Sequence, residues 1–113
     1  MMKCTIAPWL SVRRSGKAVE FYKAAFGATE AIRIESPDGG VVARLSVDGA
    51  EFWLGDESPE HQNFSPETIG GGSVRMVLTV GDPDAVFARA VTAGARPMRL
   101  SPATTKHRPT KYW

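Results

Sequence analysis

A chain of 113 residues fits one domain of ordinary size, about 100–150 residues, and shares of 42% hydrophobic and 23% charged residues suit a core beneath a solvated surface. A formal net charge of +2 is too small to require a polyanionic partner, and there is no run of about 18 apolar residues to span a membrane. The opening "MMKCTIAPWL" lacks the apolar stretch of a secretory signal, and the single cysteine, Cys4, allows no internal disulfide, so a cytoplasmic protein is expected. Cys4 has no base beside it in sequence and reads as a buried or edge structural residue.

In chain order, Thr5 to Val12 is expected as the first strand, with Ile6, Leu10 and Val12 alternating with Ala7, Trp9 and Ser11. A helix follows, with Ser15 as its N-cap and Gly27 where a left-handed residue closes a helix. Val19, Tyr22 and Phe26 line one stripe of it, while Lys17, Glu20 and Lys23 fall outside. Residues 29–36 read as a strand with Ile32 and Ile34 in phase, and "SPDGG" as a turn.

The clearest element is a hairpin over residues 41–54, because Asp48-Gly49 suits a two-residue turn with φ > 0 at both central positions. Opposite residues then sum to 97, so Leu45 faces Phe52, Ala43 faces Leu54 and Arg44 faces Trp53. Ala43, Leu45, Val47, Phe52 and Leu54 make one face apolar, and Arg44, Ser46, Glu51 and Trp53 make the other mixed.

Residues 56–73 form a polar loop long enough to be a lid, a binding loop or a linker. "SVRMVLTV" then reads as a strand, and Asp82-Pro83-Asp84 opens a second helix that runs to Ala93 with Gly94 as its stop. "ARPMRL", within residues 95–100, is a further candidate strand.

"AVEFYKAAFGA" (residues 18–28) and "AVFARAVTAGA" (residues 85–95) align without a gap at an offset of 67, and the strands before them align at 68. Two unrelated amphipathic helices would rarely share a preceding strand and a closing glycine, so duplication of one module is the favoured explanation.

"APWLSVRRSGKAVEFYKAAFGATE", "VDGAEFWLGDE" and "VRMVLTVGDPDAVFARAVTAGA" together resemble the vicinal oxygen chelate superfamily, the glyoxalase, bleomycin-resistance and extradiol-dioxygenase group, and look closest to its PhnB-like branch. The resemblance covers residues 5 to about 100. It implies an α+β fold of paired βαβββ modules, with a curved mixed sheet, outer helices and a ligand cavity in the concavity. The layout is then a single glyoxalase-like domain over 1–113: module one about 5–55, loop 56–73, a partial module two at 74–100, and an atypical tail at 101–113.

With helices covering Leu10, Val12, Leu45, Phe52, Met76 and Leu78, the alternate residues turn to the cavity. The candidate ligand-binding residues are therefore Trp9, Ser11, Arg44, Trp53, Arg75 and Thr79, with Glu51 as a possible acid. Trp9 and Trp53 either stack a planar ligand or simply fill the face. Arg75 either clamps an anion through its guanidinium fork or is a half-exposed strand residue paired with Glu51 or another acid.

The positions that the resemblance assigns to metal ligands hold Ala7, Trp53 and Arg75, which cannot bind a divalent ion in the usual way. A lone Glu51 does not make a catalytic metal site, so no cofactor is expected, and a divalent metal is disfavoured. His61 and His107 read as surface histidines. Arg13, Arg14, Arg96, Arg99, Lys106, Arg108 and Lys111 match no nucleic-acid motif, so no nucleic-acid partner is expected.

The tail "SPATTKHRPTKYW" matches none of the family's closing strands. A truncated or frame-shifted end is the favoured explanation, with a short variant completed by a partner subunit, or irregular strands, as the alternatives. The expected function is small-molecule binding without a catalytic metal, in a homodimer. The competing classes are a metal-dependent lyase, isomerase or dioxygenase, and a truncated member without retained activity.

Overall fold

The computed structural model describes residues 3–97 and the backbone of 110–111. The elements run β1 (Trp9–Val12), α1 (Ser15–Phe26), β2 (Thr29–Glu35), β3 (Val41–Val47), β4 (Ala50–Asp56), α2 (Pro66–Ile69), β5 (Leu78–Thr79), α3 (Pro83–Thr92) and β6 (Thr110–Lys111), an α+β arrangement. The first four strands make one mixed sheet in the order β1-β4-β3-β2, with β1 parallel to β4 and the other pairs antiparallel. β5 and β6 pair separately.

The hairpin forms as its sequence dictates. Asp48 (φ 51) and Gly49 (φ 88) both take the left-handed conformation of the turn, and Ala43, Arg44 and Leu45 stand opposite Leu54, Trp53 and Phe52. Ala43, Leu45, Phe52 and Leu54 are buried beneath α1, where Val19 joins them and Tyr22 packs edge-on against Phe52 at 5.0 Å. Burial there pushes the Tyr22 phenol above its ordinary range.

The ends of α1 are held differently. Gly27 closes the helix at φ 68, with its N–H bonded to the Lys23 carbonyl. Ser15 is not the N-cap: Arg14 holds that position without a side-chain bond, and Ser15 is the first helical residue. The Ser15 N–H instead donates to Asp56 Oδ1 at 2.8 Å, and Ser15 Oγ accepts from the Val41 N–H at 2.8 Å. A carboxylate from the end of β4 thus satisfies an N–H of the first turn, where negative charge is favoured.

β2 carries one extra residue. Glu30 stands opposite Leu45 and Ile32 opposite Arg44, so Ala31 is bulged out. The bulge lets Glu30 share the face of α1, where its carboxylate meets Lys23 Nζ at 2.6 Å. Ile32 and Ile34 keep the opposite face. Lys23 lies farther from Glu20, at 3.7 Å.

Other expectations need correction. Residues 5–8 have no strand geometry, although the Pro8 carbonyl accepts from the Trp53 N–H at 2.8 Å, and Ile6 is 97% exposed. Cys4, expected as a buried or edge residue, is exposed and lies outside any strand. Of 73–80 only Leu78–Thr79 is strand, and Met76, expected beneath a helix, is exposed. Residues 95–97 show no strand, while 98–100 and His107 lie outside the described residues. The tail lies there too, apart from β6.

α3 opens as expected, with Asp82 Oδ1 accepting from the Ala85 N–H at 3.1 Å and Pro83 in the first turn. Its close departs from that of α1. Ala93 stays right-handed, and Gly94 takes φ 121 rather than the left-handed helical value of Gly27. Arg89 reaches across from α3 and donates from Nε to the Ala24 carbonyl at 2.8 Å, in the last turn of α1.

The loop after β4 is organised rather than loose. Glu57 accepts from the Ser65 N–H at 2.8 Å and from Thr68 Oγ1 at 3.0 Å, and these bonds hold its carboxyl below the usual range. Ser65 is buried and caps α2 by accepting from the Thr68 N–H. Arg13 approaches Glu57 at 3.7 Å and ties the loop to the end of β1. His61 is exposed there and bonds Ser58 Oγ at 2.7 Å.

Candidate functional site

The face of the sheet away from α1 gathers the side chains that alternate with the core. β1 and β4 run parallel with Trp9 paired to Trp53, so the two indoles come from adjacent strands at the same level. They stack with centroids 5.8 Å apart and planes 12° from parallel, an arrangement favoured by ring quadrupoles when offset. The stack fits because residue 55 has no side chain. A Cβ on Gly55 would lie 3.0 Å from Trp9 Cζ2 and 3.4 Å from Val42 Cγ2.

Arg44, opposite Trp53 on β3, lays its Cζ 5.5 Å from the Trp53 ring centroid, a cation–π contact. Its Nε lies 3.4 Å from Glu51 Oε1 without hydrogen-bond geometry, and this buried Nε has no hydrogen-bond partner among the described residues. Ser11 pairs with Gly55 beside the indoles. The platform remains accessible, with Trp9 52% and Ile34 59% exposed. Beside it, Ile34 and Val42 lead into a cleft of about 250 Å³ that also takes in Asp38, Asp56 and Glu57.

Five of the expected site residues therefore come together: Trp9, Ser11, Arg44, Glu51 and Trp53. Arg75 and Thr79 do not join the same sheet. Arg75 lies in the exposed segment before β5, and Thr79 pairs with Thr110 in the separate two-stranded sheet. Glu51 is the partner of Arg44 rather than of Arg75. β5 instead approaches the hairpin tip, where Leu78 and Val80 line a cleft of about 170 Å³ with Val47 and Phe26. The described residues thus form an open platform with a flanking cleft, where a ligand cavity in the concavity of the sheet was expected.

Val42, Ile32 and Ile34 belong to this face and were not among the expected site residues. Strict alternation from Arg44 finds Val42. Ile32 follows only once the bulge at Ala31 is known. Gly55 leaves no signal beyond its place two residues after Trp53.

The positions that the resemblance assigns to a metal do not fit one. Ala7 has no donor, and the Trp53 ring is engaged in the stack. Among the described residues, no group of three or more His, Cys, Asp or Glu side chains is placed to hold a metal ion. No described helix is long and apolar enough to cross a membrane.

No family model matches the sequence. Over 94 residues the chain is 38% identical to uncharacterized proteins of Mycobacterium bovis and Mycobacterium tuberculosis, a match spanning 80% of this chain. It spans 62% of the M. bovis relative and 55% of the M. tuberculosis one, less than two thirds of either. The crystal structure of a gene product from Arabidopsis thaliana is similar with a TM-score of 0.68 and 28% identity, over 91% of this chain and 81% of that one.

Proposed function

We propose that this chain is a small-molecule-binding protein of the glyoxalase/bleomycin-resistance type, working without a catalytic metal and holding a planar or anionic ligand on the open sheet face. The observation that carries this reading is the Trp9–Trp53 stack with Arg44 over it, at 5.8 Å and 5.5 Å. Stacked indoles offer a flat apolar surface, and the partly exposed guanidinium beside them offers a positive charge for an anion. Ligand sites combine these two elements: mostly apolar walls with a few placed polar groups.

The paired-module architecture belongs to the same proposal. β1-α1-β2-β3-β4 has the βαβββ order, and β5 followed by α3 repeats its beginning. Under this reading Trp9, Ser11 and Trp53 form the wall and Arg44 the anion contact, while Arg75 and Thr79, outside the four-stranded sheet, stand apart from it. The homodimer is proposed with it, since β1 and β2 are the outer strands of the four-stranded sheet. Sedimentation at micromolar concentration tests that part.

A thermal-shift screen of aromatic carboxylates, phosphonates and divalent metals tests the binding reading. Aromatic anions are expected to raise the melting temperature of the wild type, and to do so less for Arg44→Ala. Stabilisation by a metal alone, with stoichiometric metal in the purified protein, would favour the enzymatic alternative: a lyase, isomerase or dioxygenase. No stabilisation by any compound would favour a member without retained activity.

A further inference from the structure

Resting on the proposed ligand face, we infer that Glu51 is an internal competitor for Arg44, whose displacement makes the site select planar aromatic carboxylates over neutral aromatics of the same shape. Arg44 and Glu51 are diagonal neighbours, since Arg44 stands opposite Trp53 and Glu51 opposite Ser46. Diagonal cross-strand positions lie about 7–8 Å apart, so only the tips of long side chains meet.

The result is a poor contact. Arg44 Nε and Glu51 Oε1 are 3.4 Å apart, and the Nε–H is left without a hydrogen-bond acceptor. A guanidinium edge prefers two parallel N–H bonds to an in-plane carboxylate, at about 2.7–2.9 Å. Glu51, fixed to β4 by the hairpin register, holds its charge beside that edge without reaching the geometry. A carboxylate free to place itself can take both bonds. Releasing Glu51 to water costs little, because its side chain is already 41% exposed and exposed ion pairs are weak.

The preferred ligand shape follows from the indoles. An anion on the edge of Arg44 sits beside the Trp53 ring, because Arg44 Cζ is 5.5 Å from that ring's centroid. Trp9 and Trp53 are within 12° of parallel and Trp9 is half exposed, so a flat ring attached to the carboxylate meets indole surface beside Arg44. A neutral aromatic gains the stacking without the exchange of anions, and it gains nothing when Glu51 leaves.

The test is calorimetric titration of the full chain with 2-naphthoate and 2-naphthamide, in the wild type, Glu51→Gln and Glu20→Gln. The wild type is expected to bind naphthoate more tightly than naphthamide. Glu51→Gln is expected to raise naphthoate affinity about three- to fivefold, the range in which exposed ion pairs act, and to leave naphthamide unchanged. Glu20, on the outer surface of α1, controls for net charge and is expected to change neither affinity. If neither compound binds any of the three proteins, the ligand face itself is wrong and the inference goes with it. If both bind and Glu51→Gln does not raise naphthoate affinity, or Glu20→Gln raises it equally, the competitor role fails while the ligand face stands.

Discussion

Along β3 and β4, consecutive residues enter two environments. Ala43, Leu45, Phe52 and Leu54 are sealed beneath α1, all 5% exposed or less. Arg44, Glu51 and Trp53, one step away on the same strands, stay partly in water and interact with one another more than with any core. The covered face holds the fold together. The open face presents an aromatic surface with a cation. A period-2 pattern thus divides the two tasks between the faces of one hairpin.

Substitutions on adjacent residues test this division most sharply. Leu45→Ala is expected to cost about 2–5 kcal/mol in chemical denaturation, because it opens a cavity under α1. Arg44→Ala, the next residue, is expected to cost about 1 kcal/mol or less, the worth of one exposed cation–π contact and one weak ion pair. Equal losses at the two positions would erase the distinction between the faces.

Gly55→Val blurs the boundary from the other side. Its Cβ would press against Trp9 Cζ2 at 3.0 Å, so about 1–3 kcal/mol of overpacking is expected. The indole pair should separate as well. Loss of the coupled indole signal in near-ultraviolet circular dichroism would report it, whereas an unchanged signal would show that the stack does not depend on the bare backbone at residue 55.

A smaller effect concerns the loop after β4. The bonds from Ser65 and Thr68 hold the Glu57 carboxyl below its ordinary range, so the folded state favours the ionised form. Its contribution is fully present above the ordinary glutamate range and is lost as pH falls through the lowered folded value. Thermal melts of the wild type should therefore fall more steeply on acidification than those of Glu57→Gln. Parallel melting profiles would mean that the Glu57 bonds do not stabilise the loop.

The hairpin was legible in the sequence down to its register, because Asp48-Gly49 specifies the turn and the alternation specifies the faces. That register also placed Arg44, Glu51 and Trp53 together. Trp9 and Ser11 joined them through the alternation of β1. The bulge at Ala31 and the Asp56–Ser15–Val41 bridge were not legible, since each depends on contacts between segments distant in sequence. Asp56 satisfies the first turn of a helix that begins 41 residues earlier.

The match between residues 18–28 and 85–95 was legible as a pattern, but the two segments are built unequally. α1 rests on a sheet, while α3 meets α1 through Arg89 and buries Ala90. Arg75 and Thr79 could be matched to module one by alignment, yet alignment does not say which sheet a strand joins. That placement is set by pairing, and Thr79 pairs with Thr110.

Binding of a planar anion on the proposed Trp9–Trp53–Arg44 face is read out by a nuclear magnetic resonance titration that follows the indole N–H resonances during addition of 2-naphthoate. Assignment by Trp9→Phe and Trp53→Phe identifies the two signals. Saturable shifts of both, weakened in Arg44→Ala, are predicted. Naphthoate binding that moves other resonances and leaves these two still would contradict the account.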